Sequence, residues 1–247
     1  MEKASTNLIK NTKKQIRENR HLLFLDNVKI IKDALKSGSI KPIVAFVSNE
    51  NLANELDLPC KTYKTDSKTI ESLVDVKTPQ GVCVMVEYIP HIVNVPTTNF
   101  LVLDTIQDPG NAGTLIRTAL ATGFDTIIMV DSVNVTNAKL VRSTVGAVFN
   151  TNIYEMTKQE FLTTIKEWNL PLLMADMDGE NLFESEFKEQ IGVVVGNEGK
   201  GVCDEIASLC SHSIKIPMNK GIESLNAGVS GAIIMYHINK NKIEKEN

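Results

Sequence analysis

Between Phe100 and Pro217 short Val/Ile/Leu-rich runs alternate with segments of helical periodicity, and no other feature narrows the possible fold as far. FLVLD leads into AGTLIRTALATG, TIIMV into a polar helix near NAKLVRSTVGA, and NIYEM into TKQEFLTTIKEWN. LPLLMAD, IGVVVG, a short helix around CDEIASLC, SIKIP and a last helix from about Leu225 to Lys240 complete the series. Strands apolar on both faces and separated by helices predict an α/β domain with a largely parallel, doubly covered sheet. Ligands of such sheets sit in loops beyond the carboxyl ends of the strands. Residues 104–113, 196–202 and 217–226 are the loops so placed.

The first part reads as a smaller, mixed α/β unit. An amphipathic helix is expected over about residues 7–20, and DNVKIIKDALKSG places Val28, Ile31 and Leu35 at helical spacing before Gly38 ends it. PIVAFVS and TPQGVCVMVEY read as strands, while YIPHIVNVPTTN, with Pro90 and Pro96, reads as a linker. The expected division is therefore residues 1–90, a linker over 91–98, and a larger domain over 99–247.

Charge is uneven across that division. Residues 1–42 carry ten Lys/Arg against four acids, a surplus of +6 in a chain of net charge −4. Such a basic end is either a phosphate-binding face or an ordinary solvated helix surface. No apolar run approaches the roughly 18 residues of a membrane span, and the first twenty residues lack the apolar centre of a signal peptide, so a cytoplasmic protein is expected. Cys60, Cys83, Cys203 and Cys210 form no CxxC pair and no cluster with the four scattered histidines, so neither a metal site nor a disulfide framework is expected.

Each of the three loops carries an unusual pattern. TIQDPGNAGTLIRTA joins an Asp-Pro-Gly turn to Asn111, a candidate helix cap. On the helix that follows, Gly113, Arg117 and Ala121 share a line of small residues on which Arg117 is the one charge. An arginine buried there without a partner would be costly, so it must meet a carboxylate, a phosphate or solvent; a structural ion pair with Glu198 or Asp108 would also satisfy it. VVVGNEGKGV contains Gly196, Gly199 and Gly201 but is neither a Walker A loop nor GxGxxG, so it is either a tight structural turn or a site working through main chain. In KIPMNKGIESLNAGVSGAIIMY, Ser224 or Asn226 can cap the last helix. Gly228 and Gly231 inside that helix imply very close packing, against another helix of the chain, a ligand or a partner subunit.

Taken in order, NAGTLIRTALATGF, VVVGNEGKGV and IPMNKGIESLNAGVSGAIIMY resemble the three signature motifs of the SpoU (TrmH) family of RNA ribose 2′-O-methyltransferases, within the SPOUT superfamily. The resemblance runs from about Phe100 to the C-terminus. It implies a parallel sheet with a deep trefoil knot, bent S-adenosylmethionine held chiefly by main chain, and a homodimer whose sites form at the subunit interface. The residues before the linker resemble that family's smaller substrate-binding domain, similar to a ribosomal-protein RNA-binding fold. Where the family usually has F-x-x-E-G, this chain has LFLDN, residues 23–27.

Carried over residue by residue, the resemblance makes Arg117 the catalytic arginine, with Asn111 and Glu198 lining the site and Ser224 and Asn226 completing the third motif. It assigns the cofactor to Val195, Gly196, Gly201, Ile216, Pro217, Met218 and Leu225. Lys13, Lys14, Arg17 and Arg20 are the candidate RNA contacts of the basic end, with Arg142 on the polar helix as a further one. Arginine is effectively always protonated, so Arg117 is expected to grip the phosphate beside the target ribose and stabilise the developing alkoxide. The implied substrate is 23S rRNA, because relatives acting on tRNA often lack the accessory domain. A tRNA 2′-O-methyltransferase and a non-catalytic RNA-binding or ribosome-assembly factor of the same fold are the alternatives.

Overall fold

The computed structural model describes residues 1–187, 190–222 and 224–246, the side chains of 241–246 aside. The chain divides into two units, residues 1–90 with 136–150, and residues 91–135 with 151–247.

The first unit opens with α1 (Thr6–Glu18), which Ser5 caps by accepting from the Leu8 N–H at 3.2 Å. β1 (Leu22–Leu25), α2 (Val28–Ser37), β2 (Ile40–Val47), α3 (Glu50–Leu56), β3 (Lys61–Lys64), α4 (Ser67–Val74) and β4 (Val82–Tyr88) follow. Gly38, at φ +73, ends α2 in the left-handed region that glycine enters without strain. The sheet order is β1-β4-β2-β3, parallel at β2–β3 and antiparallel elsewhere. Phe46, Ile70, Cys83 and Met85 form its core, with Leu8, Ile9 and Ile16 of α1 packed against them. Burying this row of α1 turns its basic residues outward.

The second unit contains β5 (Phe100–Asp104), α5 (Pro109–Ala121) and β6 (Thr126–Val130). After α6 (Ala138–Thr144) come β7 (Asn152–Met156), α7 (Lys158–Trp168), β8 (Leu172–Asn181), β9 (Gly192–Val195), α8 (Asp204–Ala207), β10 (Cys210–Lys215) and α9 (Ala227–Glu246). Its sheet runs β10-β8-β9-β5-β6-β7 and is parallel throughout. Every residue of β5, β6 and β9 is buried, as strands covered on both faces require. α9 packs along α5, and a Cβ built on Gly231 would lie 2.2 Å from Leu115 Cδ2 and 3.2 Å from Val195 Cγ2. Another helix of the same chain therefore accounts for that glycine.

Residues 136–150 leave the second unit between β6 and β7 and group with the first. There the Thr136 hydroxyl donates to Arg20 O at 2.6 Å, and the Ser39 hydroxyl donates to Phe149 O at 2.9 Å. The Arg142 guanidinium stands 3.5 Å from the buried Asp26 carboxylate. Burial pushes the Asp26 carboxyl up from its ordinary range, and the Arg142 charge opposes that rise.

Candidate active site

β5 and β9 are sheet neighbours, so the loops leaving their carboxyl ends begin side by side. Asp104, the last residue of β5, is fully buried, and its Oδ2 accepts the Cys203 N–H at 2.7 Å. Thr105 follows at φ +55, a left-handed conformation that an L-residue holds only when its surroundings impose it.

The first and third loops are joined through side-chain amides. Asp108, rather than Asn111, caps α5: its Oδ1 accepts the Asn111 N–H at 2.8 Å, with Pro109 in the first turn. That corrects the expectation from sequence and frees the Asn111 side chain for other work. Asn111 Nδ2 donates to Glu198 Oε1 at 3.0 Å, while Asn111 Oδ1 accepts from Asn226 Nδ2 at 2.8 Å. Asn226 also caps α9, its Oδ1 accepting the Val229 N–H at 3.3 Å. One residue from each loop thus enters a single chain, Asn226 to Asn111 to Glu198. Partial burial pushes the Glu198 carboxyl up, but hydrogen bonds from Asn111 and from backbone N–H groups, that of Asp108 among them, outweigh it and hold the group below its ordinary range.

The second loop closes on itself around Asn197, a residue to which the sequence reading gave no role. The Asn197 and Gly201 main chains exchange two hydrogen bonds of 2.9 Å each. Asn197 Oδ1 accepts from the N–H groups of Gly199 at 3.0 Å and Lys200 at 3.2 Å, and Nδ2 donates to Thr105 O at 2.8 Å. The signal was present in sequence: an asparagine two places before a glycine is the pattern of an Asx turn. Gly196 has no room for a side chain, since a Cβ there would lie 2.2 Å from Gly201 C and Val202 N.

Arg117 is exposed on α5. Among the described residues it makes no hydrogen bond and no ion pair, so the structural pairing with Glu198 or Asp108 does not form. Gly113, Arg117 and Ala121 lie on one line of α5, as the spacing expects, but burial differs along it. Gly113 is buried, and the exposed positions around Arg117 are Thr114 and Ala121. The guanidinium is left with its donors free beside small neighbours, and such a fork binds phosphate or carboxylate oxygens in pairs.

The remaining candidates are more dispersed. Val195 is buried at the end of β9, Gly201 is exposed at φ +71, and Leu225 is half-buried just before α9. Ile216, Pro217 and Met218 continue from β10, and Ser224 is exposed; among the described residues no hydrogen bond joins these four to the Asn226–Asn111–Glu198 chain. In the first unit Lys10, Lys13, Lys14 and Arg17 line an open groove of about 410 Å³ along α1, where Lys14 pairs with Glu18 at 3.6 Å and Lys13 donates to the Ser72 hydroxyl at 3.2 Å. Arg20 follows α1, and Arg142 is engaged by Asp26. Thiol chemistry is disfavoured: burial pushes Cys203 up, Cys210 up to about 12, and Cys83 well above the ordinary thiol range. Among the described residues no His/Cys/Asp/Glu group could hold a metal ion, and no helix is long and apolar enough to cross a membrane.

Comparison with known proteins covers the part of the chain that carries these loops. The model of the SpoU rRNA Methylase family matches residues 98–236. A 23S rRNA (guanosine(2553)-2′-O)-methyltransferase, RlmP, of Bacillus subtilis is 26% identical over 230 residues, covering 92% of each chain. Among solved structures, an AdoMet-bound rRNA methyltransferase from Sinorhizobium meliloti superposes with a TM-score of 0.84 at 22% identity, covering 98% of this chain and 97% of that one. The SpoU methyltransferase AviRb from Streptomyces viridochromogenes, in complex with AdoMet, gives 0.85 at 21% identity, covering 97% and 99%.

Proposed function

The chain belongs to the SpoU rRNA methylase family, and on that premise we propose that it is an S-adenosylmethionine-dependent RNA ribose 2′-O-methyltransferase acting on 23S rRNA. The observation that carries this reading is the junction of the three loops by Asn226, Asn111 and Glu198 beside a helix that presents Arg117, unpaired among the described residues. The RlmP relative is matched along 92% of its length, the first unit included, and this favours rRNA over tRNA as the substrate.

The second loop fits the cofactor. A Cβ at Gly196 would meet the Gly201 and Val202 main chain, so glycine there lets the loop fold tightly on itself, and Val195 beneath it is buried. In this reading the main chain of that tight loop faces the cofactor. Ile216, Pro217, Met218 and Leu225, with Gly201, supply the rest of the pocket wall in this reading. When bound, S-adenosylmethionine provides an electrophilic methyl on a sulfonium. The protein's part is to align a ribose 2′-hydroxyl with that methyl and to stabilise the oxygen as its proton leaves. Arg117 grips the adjacent phosphate with two parallel donors and places positive charge beside the developing alkoxide. Glu198 and Asn111 fix the floor of the site, and Ser224 and Asn226 close it from the third loop.

The finer architecture belongs to the same proposal. The loops after β9 and β10 form the deep trefoil knot of the family, and the basic face of α1, with Lys13, Lys14, Arg17 and Arg20, makes the first unit an RNA-binding domain. α9 leaves Val229 46% and Tyr236 50% exposed, apolar surface of the kind a second copy of the chain would cover in a homodimer. The test is transfer of labelled methyl from S-adenosylmethionine to unmodified rRNA or tRNA. Label in a ribose 2′-oxygen of 23S rRNA is expected; cofactor binding without label in any RNA refutes the enzyme and leaves the non-catalytic binding factor.

A further inference from the structure

We propose that Asn197 is a positioning residue of the methyl-transfer site, a strut that sets Glu198 against Asn111 by tying the second loop to Thr105. The inference rests on the methyltransferase reading for its kinetic consequence, but its structural content stands on separate observations. Asn197 uses both ends of its amide. Oδ1 gathers the Gly199 and Lys200 N–H groups and so shapes the turn, and Nδ2 crosses to the Thr105 carbonyl at 2.8 Å. The carbonyl belongs to Thr105, which sits at φ +55, a costly conformation for threonine of the kind that recurs at ligand sites. Cross-link and strain meet one residue before Glu198, whose Oε1 takes the Asn111 amide at 3.0 Å and the Asp108 N–H at 3.4 Å. Glu198 is exposed at the tip of the loop, so among the described residues its approach to α5 depends on the fixing of the loop beneath it.

The shape of the loop and its placement are separable by mutation. Serine at 197 keeps a short acceptor for the Gly199 N–H, as in hydroxyl-based turns, and keeps the main-chain pair with Gly201, but it is too short to reach Thr105. Asn197→Ser therefore removes the strut and spares the turn. Misplacement by about 1 Å at a catalytic constellation costs on the order of 10²-fold in rate. The expected result is a fall in kcat of about 10- to 100-fold with the S-adenosylmethionine Kd changed less than about threefold.

The deciding measurement is a double-mutant cycle with Glu198→Ala, scored by single-turnover rate. If Asn197 acts through Glu198, adding Asn197→Ser to Glu198→Ala costs less than about twofold further, because the group it positions is already gone. Additive losses overturn the proposal. A second arm does not depend on activity: the carboxyl carbon of Glu198 is titrated by NMR in the parent and in Asn197→Ser. The parent group titrates below an ordinary glutamate, and in the variant it returns toward the ordinary value as the Asn111 and Asp108 donors are lost. An unchanged titration overturns the strut. Absence of methyl transfer in the parent would instead sink the functional reading while leaving this arm intact.

Discussion

Replacing Gly196 by alanine adds one methyl at the point where the second loop returns on itself. The new Cβ would stand 2.2 Å from Gly201 C and Val202 N, against about 3.5–4.0 Å for an unstrained carbon contact. The obstructing atoms are main chain, clamped by the two 2.9 Å hydrogen bonds between Asn197 and Gly201, so no rotamer change relieves the overlap. The cheapest escape opens that pair. Two hydrogen bonds at about 0.5–1.5 kcal/mol each put the cost at about 1–3 kcal/mol, and at about 2–4 °C per kcal/mol for a chain of this size Tm falls by about 2–12 °C. The cofactor should suffer more than the fold, because the displaced main chain is the surface proposed to hold it: Kd for S-adenosylmethionine by calorimetry should rise at least tenfold. Gly199→Ala is the control, its nearest neighbour for a Cβ being Asn197 Oδ1 at an ordinary 3.7 Å, and it should leave Tm and Kd near the parent's. A Gly196→Ala protein with parental Kd, folded and with lowered Tm, would refute the argument that main chain of this loop binds the cofactor.

Arg117→Ala removes an exposed side chain that makes no hydrogen bond or ion pair with the described residues, so cofactor Kd, mass in solution and Tm should hold while single-turnover methylation falls at least 100-fold; retained turnover would remove Arg117 from catalysis. Arg142→Ala strands the buried Asp26 carboxylate and should cost about 1–3 kcal/mol, below the range for a fully buried pair because Arg142 is itself 37% exposed. The folded Asp26 carboxyl already lies above its unfolded value and rises further in this variant, so the loss of stability should be complete at neutral pH. It should then shrink as pH falls through the raised folded pKa, and a denaturant series from pH 7 to pH 4 reads it. Reversing Lys14 and Arg17 to glutamate should weaken RNA binding and flatten its log–log salt slope by about one per lost phosphate contact, with methyl transfer to a saturating short substrate retained.

The sheet was legible because burial on both faces writes itself directly into composition: apart from the terminal Asp104 and Thr126, FLVLD, TIIMV and IGVVV are apolar on both faces. The shorter elements of the first unit were not. β1 and β3 have four residues each and α3 has seven, too few for a period to emerge, and KTYK is polar enough to pass for a turn. The last helix begins at Ala227 and reaches Glu246, because Asn226 caps it through its side-chain Oδ1 and no glycine or proline stops the far end. Grouping of residues 136–150 with the first unit was beyond local pattern altogether. It depends on tertiary pairs such as Arg142 with Asp26 and Ser39 with Phe149, whose partners lie more than a hundred residues apart.

The site divides along the same line. Arg117 was identifiable because an isolated charge on a helix of small residues demands an explanation, and desolvation cost limits the answers to an anion or water. Its actual state, exposed and unpaired among the described residues, discards the ion pair that sequence alone had kept open. What sequence could not show is how the three loops are locked, because an amide has two ends and the pattern does not say where each goes. Asn111 looked like a cap, yet Asp108 takes that duty and Asn111 becomes the bridge between Glu198 and Asn226. Asn197 looked like part of a turn and also reaches across to Thr105. The charged residue announces itself in one dimension, whereas the neutral amides that set the loops around it acquire their roles only when strands distant in sequence become neighbours.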